Sequence, residues 1–155
     1  MVCKGLVYMN LGDGFSTTVT VQFHEVDSMK IVHHSYYIYW MEIARFQFAK
    51  EMLGFTFQDF ESMGIFLPVT KLDCKYIRSA LLGQSIVIYL KLVEREEAIA
   101  TFIYEMRDQK TGKKLFEGCT EHAFVNESGR LLLRYPNEWV QALEKIHKKH
   151  ASYIV

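Results

Sequence analysis

The run Glu25-Val26-Asp27-Ser28-Met29-Lys30-Ile31-Val32-His33-His34-Ser35-Tyr36-Tyr37 sets one carboxylate between a β-branched stretch and a long apolar segment. Upstream, Gly12-Asp13-Gly14 is a turn signal, and Thr17 to Phe23 is rich in β-branched residues, so a strand is expected from Ser16 to about Glu25. Downstream, no Gly or Pro interrupts the chain from about Ser35 until Gly54, which is placed to stop a helix ending near Leu53. The apolar residues of that segment, from Tyr37, Ile38 and Trp40 to Phe48, Met52 and Leu53, surround most of the helix axis. Such a helix is expected to be buried on most sides. Ser35 is read as its N-cap, and Asp27 lies too far upstream to serve as one. A carboxylate beside a helix start stands where unpaired backbone N–H groups and the positive end of the helix dipole can stabilise a developing oxyanion. That combination points to acyl-transfer chemistry, with Asp27 as nucleophile or as general base for water.

Beyond a short aromatic stretch from Phe55 to Met63, the chain up to Tyr135 reads as strand. Strands are expected near Ile65–Ile77, Ser85–Glu94, Ala98–Asp108, Lys114–Asn126 and Leu131–Arg134. The turns between them carry Gly83, Glu96-Glu97, Gly112 and Gly129. Successive hairpins make the sheet antiparallel. The long apolar run Ser85–Val93 is expected to need a partner as an exposed edge. The segment from Asn137 to about His150 has the pattern of an amphipathic helix, with Lys145, His147, Lys148, Lys149 and His150 on a solvated face. One long buried helix against five or six antiparallel strands implies an α+β fold, with a curved sheet wrapped around the helix. At 155 residues the chain is read as a single domain spanning 1–155.

Lys and Arg number 18 and so do Asp and Glu, so no global field draws nucleic acid or an anionic membrane. A polyanionic ligand must then be held by a local patch, and Lys71, Lys75 and Arg78 are the candidates for phosphate contacts. Cys3, Cys74 and Cys119 are far apart and lack C-x-x-C spacing, which argues against a disulfide framework or a zinc ribbon. Cys74 and Cys119 read as small buried hydrophobes, and a cytoplasmic location is expected. His33 and His34 show no ligand spacing with the other histidines, and no metal is expected. Ser35 has no G-x-S-x-G elbow, and neither a P-loop nor a G-x-G-x-x-G motif is present.

Around Asp27 the chain resembles the hotdog-fold acyl-CoA thioesterases of the 4-hydroxybenzoyl-CoA thioesterase-like family. The matching residues are Asp27, Ile31-Val32, His33, His34, Tyr37, Trp40 and Glu42-Ile43-Ala44-Arg45. Weaker matches follow at Tyr76 to Gly83 and at Gly118, so that the likeness spans about residues 16 to 136. Lys30 stands where the family usually has Gly; if that position needs a positive φ, Lys30 carries a strain of about 1–3 kcal/mol. The resemblance implies hydrolysis of an acyl-CoA or acyl-carrier-protein thioester. Asp27 would act on the thioester, and the backbone N–H of His34 would bind its oxygen. Substrate would meet His33, Tyr37, Trp40, Lys75 and Arg78, with Phe57, Phe60 and Met63 adding to the apolar lining for the acyl chain. No cofactor is implied apart from coenzyme A within the substrate. Two sheets would join edge to edge in a homodimer, often doubled to a homotetramer, with active sites between subunits. Two other readings stay open: a non-catalytic acyl-CoA-binding hotdog module, and a hotdog dehydratase or hydratase.

Overall fold

The structure, a computed structural model, describes residues 10–155 apart from the side chain of Phe57. Strand β1 (Phe15–Thr20) is shorter than expected, because the chain turns at Gln22 into a 3-10 turn over Phe23–Glu25. The Glu25 carboxylate drives that turn: its Oε2 accepts the Gln22 N–H at 2.7 Å. Helix α1 (His34–Phe48) continues as a π-turn through Ala49–Leu53 and stops at Gly54, whose φ of 76° suits a residue without a Cβ. Helix α2 (Phe57–Ser62) starts at Thr56, whose hydroxyl accepts from the Asp59 N–H. Pro68 has no N–H to give a ladder, and it divides the expected long strand into β2 (Ile65–Phe66) and β3 (Val69–Tyr76). Then follow β4 (Ser85–Val93), β5 (Ile99–Asp108), β6 (Lys114–Ala123), β7 (Val125–Asn126) and helix α3 (Asn137–Lys149). The strand expected at Leu131–Arg134 is not formed; that segment is irregular, with one bridge from Leu131 to Val125.

The main sheet is antiparallel throughout, in the order β1-β4-β5-β6-β3, with β2 and β7 paired apart from it. This corrects the reading of Ser85–Val93 as an edge: β4 lies between β1 and β5, which accounts for its apolar run, and the edges are β1 and β3. Helix α1 packs on β4 and β1 and buries Tyr37, Trp40, Met41, Ala44 and Phe48 in the core. Gly118 of β6 lets the helix come close, since a Cβ there would lie 2.6 Å from the Met41 sulfur and 2.8 Å from the Phe116 ring. One long helix on a five-stranded antiparallel sheet is the α+β hotdog arrangement. Helix α3 buries Trp139, Ala142, Leu143 and Ile146 and turns its basic face to solvent.

Two polar features lie within this frame. His122 is fully buried, its Nε2 2.9 Å from the Thr120 hydroxyl and its Nδ1 3.3 Å from the Leu67 carbonyl oxygen; burial holds its imidazole down at about 4. Cys119 is buried in an apolar cluster with Leu11, Val93 and Ile103, as expected, but is also disulfide-bonded, and Cys74, expected to be buried, is free and only half-buried. Among the described residues no helix is long and apolar enough to cross a membrane.

Candidate active site

Asp27 sits in a tight turn whose backbone closes on itself. Lys30 N–H donates to the Asp27 carbonyl at 3.0 Å, Asp27 N–H donates to Ile31 O at 2.9 Å, and Val26 bridges Val32. Closing the turn puts Lys30 at a φ of 63°, and among the described residues no other non-glycine has a positive φ. The position where the resemblance places Gly therefore does need the left-handed region in this chain. The Asp27 side chain is half-buried, and its Oδ1 accepts from the Met29 N–H at 2.7 Å. Among the described residues no hydrogen bond engages its Oδ2.

The helix start is built by His33 rather than by the expected Ser35. The His33 Nδ1 accepts from the Ser35 N–H at 3.3 Å and lies 2.8 Å from the Ser35 hydroxyl, while the His33 carbonyl takes the Tyr36 N–H at 3.0 Å. Two of the four N–H groups that open a helix are thus satisfied locally. The His34 N–H has no hydrogen bond among the described residues. On the opposite wall the chain after β3 is pinned from three sides. Ile77 and Arg78 N–H both reach Leu115 O, Val32 N–H reaches Ala80 O at 2.9 Å, and Ala80 N–H donates to the Tyr37 hydroxyl at 3.0 Å. Tyr76 crosses the gap to donate to His34 O at 3.0 Å. Burial raises both phenols, and that of Tyr76, with Cys74 adding to the effect, is pushed up to about 12, so both remain protonated hydroxyls at neutral pH.

These walls enclose a cleft of about 320 Å³ whose lining includes Asp27, His34, Tyr37, Tyr76, Arg78 and Ser79. Four residues singled out in the sequence, Asp27, His34, Tyr37 and Arg78, therefore share one cleft. His33 stands just outside it, its ring 4.1 Å from that of His34. Trp40 does not reach the cleft: it is 1 % exposed in the core, and its indole N–H donates to Glu25 Oε1 at 3.0 Å. Lys75 is not in the cleft either, because strand alternation puts it on the face of β3 opposite Tyr76, whose ring packs on Tyr37 and Phe116. Arg78 lines the cleft, which Lys75 does not, and donates through Nη1 to Lys114 O at 2.8 Å. Phe60 lines a separate apolar groove of about 470 Å³ with Phe46, Leu53 and Trp139, beside the far half of α1. At 1.5 Å per residue, Phe46 lies about 18 Å along the helix from His34. Two residues had not been singled out as site residues, Tyr76 and Glu25. Tyr76 stands only at the head of the weaker match from Tyr76 to Gly83, and Glu25 carries no signal of its own, since Gln22 is not the Ser or Thr with which a capping box begins.

The model of the thioesterase-like superfamily matches residues 21–143 of this chain. The Bacillus subtilis protein named "Putative acyl-CoA thioesterase YneP" is 25% identical over 133 residues, which cover 84% of this chain and 95% of that protein. Among solved structures, a DHNA-CoA thioesterase from Staphylococcus aureus is 26% identical, with a TM-score of 0.77 over 86% of this chain and 90% of its own. A hypothetical protein from Thermus thermophilus is 29% identical, with a TM-score of 0.75 over 83% of this chain and 96% of its own.

Proposed function

We propose, from the premise that this chain belongs to the thioesterase-like superfamily, that it hydrolyses an acyl-CoA thioester to a free acid and coenzyme A. The observation that carries this reading is the meeting, in one cleft, of a half-buried carboxylate and a helix-start residue whose Oδ2 and backbone N–H, respectively, have no hydrogen bond among the described residues. A thioester carbonyl that receives the His34 N–H has its developing oxyanion stabilised by that donor and by the positive end of α1. Asp27 then either attacks the carbonyl carbon, to be freed by water in a second step, or takes a proton from the water that attacks. The sulfur leaves as the thiol in both cases. Arg78, at the cleft wall, faces the anionic half of coenzyme A.

The working unit in this reading is a homodimer. Edge strand β3 leaves Val69, Leu72 and Tyr76 exposed, and α1 leaves an exposed stripe of Tyr39, Ile43 and Phe46 at helical spacing. A second copy paired along β3 would cover both. Release of free thiol from a panel of aliphatic and aromatic acyl-CoAs tests the function. At least one should turn over; tight binding of the panel with no thiol released would favour a binding module.

A further inference from the structure

Glu25 lies two residues before Asp27 and is buried, 8 % exposed, although it carries a carboxylate. Both oxygens are used: Oε2 takes the Gln22 N–H at 2.7 Å and Oε1 takes the Trp40 indole N–H at 3.0 Å. Its backbone carbonyl accepts the His33 N–H at 2.9 Å, one residue before His34. One residue thus grips three things: the turn that delivers the chain to Asp27, the residue that opens α1, and a side chain six residues into that helix. The Trp40–Glu25 bond ties the loop carrying the carboxylate to the body of the helix carrying the backbone donor, deeper than the ties at the helix start, which are the His33 N–H to Glu25 O bond and the Val26–Val32 bridge. Both partners are buried, so water offers no ready substitute, and breaking the bond by removing one partner leaves the other unsatisfied.

We infer that Glu25 is a positioning residue for the reaction proposed above: acting through its bond to Trp40, it holds Asp27 and the His34 N–H at the spacing the thioester requires. The inference rests on that reading of the site. Glu25 itself does not line the cleft and moves no proton. Its effect is geometric, and displacement by about 1 Å of groups that must act together can cost 10²-fold in rate.

The test compares Glu25→Gln, Trp40→Phe and the double variant with the unsubstituted chain and with Asp27→Asn, by thiol release from one acyl-CoA well below the melting temperature of each. Glu25→Gln keeps an acceptor for the indole but loses acceptance of the Gln22 N–H, and Trp40→Phe keeps an aromatic ring but removes the donor. Positioning predicts that kcat falls roughly 10- to 100-fold in Trp40→Phe with KM nearly unchanged. Glu25→Gln, as the conservative variant, should retain more of the rate, and the double variant should be no slower than the slower single one, because the changes act through one bond. A merely structural role would lower the melting temperatures and leave kcat within about twofold of the original; with Asp27→Asn slow, that result overturns the inference. If Asp27→Asn keeps its rate, the reading of the site fails first and the positioning role falls with it.

Discussion

A single dihedral shows how much can be inferred from one residue type. Lys30 occupies a position where the resemblance led us to expect glycine, and its φ of 63° gives a backbone reason for that expectation. The left-handed conformation costs a residue with a Cβ about 1–2 kcal/mol, part of which glycine gives back through the greater freedom of its unfolded chain. Lys30→Gly should therefore stabilise the protein by about 0.5–1 kcal/mol, seen as a higher melting temperature. A lower melting temperature would mean that the lysine side chain contributes more than its backbone costs. The place of Asp27 on the cleft wall agrees with its sequence position, too far from the helix to cap it, while the turn bond from the Met29 N–H to its Oδ1 had no visible signal. The place of Trp40 was not legible, because a helix apolar nearly all round does not tell which of its side chains face the core and which face a ligand. Its place in the core is set by the contact with Glu25, fifteen residues away.

At the scale of elements, local signals were readable and non-local ones were not. The helix stop at Gly54 and the turns at Gly83, Gly112 and Gly129 each need a positive φ, a property carried by the residue itself. Strand order has no such local carrier. The apolar run of β4 fits an edge awaiting a partner as well as it fits an interior strand, and only the pairing with β1 and β5 decides. Gly118 lies between these cases. A small residue in β6 was visible, but its cause is the approach of Met41 from α1, which leaves no room for a methyl group against Met41 and Phe116. Both neighbours are buried and have little space to yield. Gly118→Ala should destabilise by about 1–3 kcal/mol, as overpacked cores do, measured by urea unfolding. An unchanged midpoint would show that α1 is free to move away from the sheet.

For the whole molecule, a chain of zero net charge has no long-range field to gather an anionic substrate, so recognition depends on the cleft walls and on whatever covers the exposed β3 edge. The apolar side chains left open on β3 and α1 lie on elements that also bear the site: Tyr76 ends β3 and His34 begins α1. Light scattering of a dilute solution should give a mass of two or more copies of the 18.2 kDa chain, and a mass near one copy would leave that face without a partner. Everything else depends on whether the carboxylate in the turn does the chemistry. Asp27→Asn keeps the shape and the Met29 hydrogen bond while removing both nucleophilicity and proton acceptance. Thiol release from an acyl-CoA that the unsubstituted protein hydrolyses should fall by at least ~10² in this variant, with its melting temperature retained. An Asp27→Asn protein that keeps most of its rate would contradict the account.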